Sequence, residues 1–161
     1  MRIAIGNDHA GYNLKLAIIE YLKKRGIQYR DFGSYSREPV DYPDYAFPVA
    51  MAVSKRRYDR GILICGTGIG MSIVVNKFPG VRGAVCHNLF TARVSRQHNN
   101  ANILLLGGRV LDKKTALKIV RVWLDTEPEA GRHRRRVKKI QKIERMILKL
   151  YKDEGRKKCM Q

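Results

Sequence analysis

The stretch Arg60-Gly-Ile-Leu-Ile-Cys65-Gly-Thr-Gly-Ile-Gly70-Met-Ser72 decides how this chain is read. Gly61 to Ile64 has the continuous apolar character of a buried strand. Cys65 ends it, and a glycine-rich turn leads into an apolar helix starting near Ile69. Glycines at 66, 68 and 70 turn the backbone sharply and leave its N–H groups able to face a ligand, which builds an anion hole. A thiol just ahead of a helix N-terminus lies in the positive field of the helix and is placed to act as a nucleophile or base. The same residues also fit a buried cysteine before a tight turn, because free cysteine is among the most buried residue types.

Three familiar glycine-loop chemistries fail on named residues. A dinucleotide fingerprint needs a third glycine where Met71 stands, and an acidic residue roughly 20 positions on, where the chain has Val85 and Cys86. A nucleotidase phosphate loop needs Gly-Lys-Ser/Thr, which the stretch lacks. A cysteine phosphatase needs an arginine six positions after its cysteine, and that position is again Met71.

Outward from this stretch, strands and helices alternate. Residues 2–6 form an apolar strand followed by Asn7-Asp8-His9-Ala10-Gly11. Leu14, Ala17, Ile18, Tyr21 and Leu22 repeat at helical spacing, and Gly26 closes that helix. Ile27 to Phe32 is a second strand. Pro43, within Asp41-Tyr42-Pro43-Asp44-Tyr45, suits the first turn of a helix running to about residue 55. Val81 to Cys86 is strand four, a helix runs from about Leu89 to Gln97, and Asn102 to Leu106 is strand five. Asp112 caps a helix with Ala116, Ile119, Val120, Trp123 and Leu124 on one face. After Pro128 and Gly131 a last helix spans about Arg132 to Tyr151.

Strands alternating with helices predict a three-layer, doubly wound, Rossmann-like α/β fold with about five parallel strands. The expected domain is 1–151, with 152–161 a basic, disordered tail. Ligands in such folds gather outside the C-terminal strand ends. Asp8, His9, Cys65 to Gly70 and Arg109 therefore share one rim. His98 and Asn99 precede a strand, so they must reach that rim from a helix end or a second subunit. Ile140, Ile143, Ile147 and Leu150 form a short apolar seam suited to a dimer contact or to docking on the same domain.

The chain of 161 residues carries a net charge of +19. Residues 132–161 hold 13 Lys/Arg and 3 Asp/Glu, a net +10, which leaves +9 for the rest. Such an excess attracts polyanions whether or not binding them is the function. The basic segment lacks the interleaved aromatics that stack on bases, having only Tyr151, so nucleic acid is expected as a non-specific partner at most. Arg132 and Arg136 are four apart on one helix face and could hold a phosphate together; a solvated basic face is the other reading. No apolar run approaches the ~20 residues of a membrane span. Three cysteines make no disulfide framework, and a cytoplasmic location follows. Cys86 reads as an inert core residue and Cys159 as an incidental exposed one.

Taken together, Asp8-His9-Ala10-Gly11, Asp41 to Tyr45, Cys65 to Gly70, Ser95-Arg-Gln-His98-Asn99, Gly108-Arg109-Val110 and Gly131-Arg132-His133 with Arg136 resemble type B ribose-5-phosphate isomerases. The wider family includes galactose-6-phosphate isomerases. The resemblance covers roughly residues 1–145. It implies interconversion of ribose 5-phosphate and ribulose 5-phosphate without metal or organic cofactor, by a homodimer or a dimer of dimers with shared sites.

Carried over by resemblance, Cys65 is the base and His98 the ring-opening group. Asp8, His9, Gly66, Thr67, Gly68, Ile69, Gly70, Asn99, Arg109, Arg132 and Arg136 bind the sugar phosphate. Thr67 has a hydroxyl suited to moving a proton between the two reacting oxygens, and Tyr42 lines the pocket or packs. Relatives lacking the cysteine use a glutamate at the place of Met71. Two alternatives stand beside this reading: an isomerase of a six-carbon phosphate such as galactose 6-phosphate or allose 6-phosphate, and a non-catalytic nucleic-acid-binding relative.

Overall fold

The central strand is apolar in both of its alternating sets, so it has to be covered on both sides. In strand β3 (Arg60–Cys65), Ile62 and Ile64 enter one core and Leu63 and Cys65 the other. Strands β1 (Arg2–Asn7) and β5 (Ile103–Gly107) flank it and alternate in the same way: Ile3, Ile5, Leu104 and Leu106 face one core, and Ala4, Ile103 and Leu105 the other. With β2 (Gln28–Asp31) and β4 (Gly83–Val85) at the edges, the sheet has the order β2-β1-β3-β5-β4, and every pairing is parallel.

Helices α1 (Tyr12–Lys24) and α5 (Lys113–Asp125) supply the first core, with Ile18, Leu22, Ile119 and the fully buried Trp123. Helix α4 (Leu89–Asn99) adds Ala92 to it. Helices α2 (Tyr42–Ser54) and α3 (Ile69–Val75) supply the second, chiefly through Ala46, Val49, Val53, Met71 and Val75. This is the expected three-layer arrangement. Two expected strands are shorter than read: β2 starts at Gln28 because the Ile27 amide still bonds the Leu22 carbonyl of α1, and β4 starts at Gly83 because the amide of Val81 closes a turn on the Phe78 carbonyl and that of Arg82 donates to the Asn102 side chain.

The computed structural model describes the backbone of residues 1–158 and side chains through Tyr151. Helix α6 (Gly131–Lys158) continues past the expected end at Tyr151. Residues 152–158, expected to fray, are helical; Lys, Arg and Glu, which favour helices, carry the chain through the less favourable Gly155. The remainder of the expected tail, with Cys159, lies outside the described residues. Among the described residues no helix is long and apolar enough to cross a membrane.

Candidate active site

The chain turns from β1 to β2 on one side and to β3 on the other, which creates the crevice where open parallel sheets bind ligands. The loops around it are stitched together. Asp8 N–H donates to the Ile64 carbonyl at 3.1 Å, Gly108 N–H to the Cys65 carbonyl at 2.7 Å, and Arg109 N–H to the Gly66 carbonyl at 3.0 Å. Cys65 lies at the floor of this rim, 4% exposed. Its Sγ accepts a hydrogen bond from the Gly68 amide at 3.1 Å.

Two glycines permit this geometry. Gly68 has φ +82°, a conformation that side-chain-bearing residues rarely adopt. A Cβ on Gly70 would stand 2.7 Å from the ring of Tyr42, so only a glycine lets that ring lie against the loop. Fewer loop amides are open to a ligand than the sequence implied: the Gly68 amide is spent on the sulfur and the Ile69 amide on Thr67 Oγ1 at 3.3 Å. The Arg109 side chain passes beside Gly66.

Asp8 is buried, and its Oδ1 caps the short 3-10 turn His9–Gly11 by accepting from the Gly11 amide at 3.1 Å. Its visible work is to orient the turn that carries His9. The Nδ1 of His9 accepts from the Val40 amide at 3.2 Å, so Nε2 carries the ring proton and can donate to a ligand. Lys15, almost fully buried, anchors the same loop by pairing with Asp31 at 2.9 Å and donating to the Ser34 carbonyl at 2.7 Å. His87, which the sequence did not single out, reaches the glycine loop through Nε2 and the Thr67 carbonyl at 3.2 Å. Cys86 beside it is fully buried, and burial pushes its thiol up, as suits a core residue.

The other predicted residues are elsewhere. Helix α4 runs back along the sheet, so His98 and Asn99 lie near the start of β5. There the Gly61 amide bonds the Asn102 carbonyl, whereas Cys65 pairs with Gly107. Five residues of strand separate these levels, about 16 Å. His98 stacks on His133, with centroids 4.0 Å apart and rings 7° from parallel. Arg132 donates through Nε to His133 Nε2 at 3.2 Å, and Glu129 Oε2 lies 3.6 Å from the same nitrogen. Arg132 and Arg136 are exposed on the first turns of α6. The chain therefore holds a thiol, glycine loop, His9 and Arg109 at one edge of the sheet, and two histidines and two arginines at the other.

His98, Glu129 and His133 bring ligand atoms within 4.8 Å of one another. This is a poor metal site. A bound ion must lie in the plane of each imidazole, about 2.0–2.1 Å from nitrogen, and parallel stacked rings hold those planes apart. Arg132 already occupies His133 Nε2, and its charge repels a cation.

Burial lowers the His133 pKa, assisted by His98, Arg132 and Arg136 and opposed by Glu129. A base with a lowered folded pKa binds fewer protons folded than unfolded. Its contribution is complete above the ordinary histidine value of about 6.5 and is lost as pH falls below it. Thermal melts are expected to show stability declining from pH 7 to pH 5, with His133→Phe flattening that decline; an unchanged slope would remove His133 as its source.

A family model described as Ribose/Galactose Isomerase matches residues 3–140. Ribose-5-phosphate isomerase B of Escherichia coli (strain K12) is 48% identical over 143 residues, spanning 89% of this chain and 96% of that protein. The structure of Clostridium thermocellum ribose-5-phosphate isomerase B superposes with a TM-score of 0.89 at 55% identity, covering 91% of this chain and 99% of that one. Ribose-5-phosphate isomerase B from Mycoplasma genitalium, solved with bound ribulose-5-phosphate, superposes with a TM-score of 0.86 at 43% identity, covering 89% and 96%. With the fold, the glycine loop and the two clusters in place, these identities show that the chain belongs to the ribose/galactose isomerase family.

Proposed function

We propose that this enzyme interconverts ribose 5-phosphate and ribulose 5-phosphate through an enediolate, with Cys65 as the base. The observation that carries the reading is the Cys65 sulfur at the floor of the switch-point crevice, bonded by the Gly68 amide and bordered by the glycine loop. Five-carbon substrates are favoured over galactose 6-phosphate or allose 6-phosphate because the relatives above are named for ribose 5-phosphate or hold ribulose-5-phosphate.

The sulfur takes the proton from C2 of the open-chain aldose. The C–H electrons form the C1=C2 bond, and negative charge develops on O1. Amides of Gly66, Thr67 and Gly70 receive that charge, a contribution commonly worth about 10²–10³ in rate per donor. The Thr67 hydroxyl moves the proton from O2 to O1, the sulfur returns its proton to C1, and C2 becomes the carbonyl. Both transfers need only an acid and a base, so no metal or organic cofactor enters. A nearly buried sulfur is shielded from bulk water, which suits a base that must give back the proton it removes.

Ribose 5-phosphate closes into a furanose, so its ring must open first, and we assign that step to His98 of a second copy. A two-fold arrangement presents the same surfaces reciprocally. It would bring His98, Asn99, Arg132 and Arg136 of each copy to the rim of the other, where Asp8, His9, Tyr42, Ile69 and Arg109 complete the pocket. Two observations support a second copy. The seam residues Ile140, Ile143, Ile147 and Leu150 remain exposed. Ile140, Ile143 and Ile147 border a groove of about 760 Å³ that runs from α6 to Phe78, Val81 and Asn99. Arg132 and Arg136 then hold the phosphate. The isomerase acts in the cytoplasm, where its thiols stay reduced, and the basic α6 gives salt-sensitive, non-specific retention on nucleic acid.

Cys65→Ala is expected to lower kcat on ribose 5-phosphate by at least about 10²-fold, the range of a lost general base, with sugar phosphate binding retained in calorimetry. Full turnover in that variant would remove the sulfur from its role. Arg136→Ala removes a charge-assisted contact worth about 1.5–3 kcal/mol and is expected to raise KM roughly 10- to 100-fold with little change in kcat. An unchanged KM would return this arginine to the solvated surface.

A further inference from the structure

We propose that His133 is the positioning residue for His98: a flat, buried plate that fixes the orientation of the ring-opening imidazole. The inference rests on the assignment of ring opening to His98. Three geometric facts carry it. The two rings lie 4.0 Å apart and within 7° of parallel, so any swing of His98 about its side-chain torsions breaks the stack on that side. His133 is 6% exposed and His98 only half-buried, so the anchored ring is His133 and the working ring is the one free to meet a ligand. Finally, Arg132 donates through Nε to His133 Nε2, which makes Nε2 the acceptor and fixes the neutral tautomer with its proton on Nδ1.

The neutral state matters for the chemistry. In ring opening, His98 gives a proton to the ring oxygen O4 as the C1–O4 bond breaks. It recovers one from the O1 hydroxyl as C1=O forms, so it ends as it began. A stacked neighbour that titrated alongside it would compete for that proton and repel the charged state. Burial does most to keep His133 neutral, followed by His98 and Arg132; of the other charged groups facing it, Arg136 acts in the same direction and Glu129 opposes. Nδ1 is buried without a partner among the described residues, a cost compatible with a ring retained for its face and for Nε2 rather than for a full set of hydrogen bonds.

The test is a double-mutant cycle in the full-length protein with His98→Ala, His133→Ala and the double variant, measured on ribose 5-phosphate. His133→Phe supplies a ring of similar shape, and circular dichroism checks each fold. His133→Ala is expected to lower kcat about tenfold with little change in KM, a partial misorientation that costs less than the roughly 10²-fold of a 1 Å displacement. His133→Phe should recover most of it, and the double variant should be no slower than His98→Ala alone.

D-Erythrose 4-phosphate, an aldose phosphate too short to close a furanose, gives a second readout: His133→Ala should change its turnover by less than twofold. Additive losses in the cycle, a loss confined to KM, or equal losses on both sugars would overturn the positioning role. If His98→Ala itself leaves ribose 5-phosphate turnover unchanged, the assignment of ring opening to His98 fails first and takes this inference with it.

Discussion

Cys65 is held at both ends: its carbonyl accepts the Gly108 amide at 2.7 Å and its sulfur accepts the Gly68 amide at 3.1 Å. The first bond continues the β3–β5 ladder past its last pair and ties the rim to the most buried part of the sheet. The second folds the glycine loop back over the strand end. A thiol fixed in this way has little freedom to choose its partner, so reactivity depends on what enters the crevice above it. Preorganisation of this kind is what lets a modest base act on a carbon acid, because the donors need not be reoriented as charge develops.

The direction of α4 imposes the second constraint. A crossover helix between parallel strands must run back along the sheet, so residues at its C-terminus stand at the edge opposite the strand ends. His98 and Asn99 are therefore excluded from the crevice of their own chain, as are Arg132 and Arg136 at the adjoining start of α6. The terminus of α4 is firmly held there. Arg96 donates to the carbonyls of Ala101 and Thr126 and to the Asn100 side chain, and Glu129 N–H donates to the Gln97 carbonyl at 2.9 Å. The separation is built into the fold, and the function proposed above therefore calls on two copies to complete a site. On that proposal, stacking on His133 sets at home the orientation of a group that works in another molecule's crevice.

Much of this was legible in the sequence because the decisive signals are local. The apolar run before Cys65, the glycines after it and the helical spacing of Leu14 to Leu22 or Ala116 to Leu124 each report on their own segment, and all of them appear where expected. The position of His98 just ahead of a strand left two routes to the rim, a helix end or a second subunit, and the direction of α4 removes the first. What stayed hidden depends on distant partners. Strand order is set by packing, and nothing in residues 66–70 says that two of their amides are consumed within the loop. His133 sits in a run of arginines whose charge masks it, and its stacking exists only once α4 and α6 meet. His87 gave no signal beyond following a strand. Helix α6 runs beyond its expected end: chain termini commonly fray, whereas helix-forming residues carry this one to Lys158.

The central claim is that one site takes its sulfur from one copy and its imidazole from another. Mixing Cys65→Ala with His98→Ala under conditions that exchange subunits tests it most directly, with turnover of ribose 5-phosphate as the readout. The account predicts that two nearly inactive preparations regain about a quarter of wild-type activity, since half of random dimers are mixed and each mixed dimer holds one intact site of two. Activity that stays at the level of the separate variants, with exchange confirmed by mass spectrometry, would contradict it.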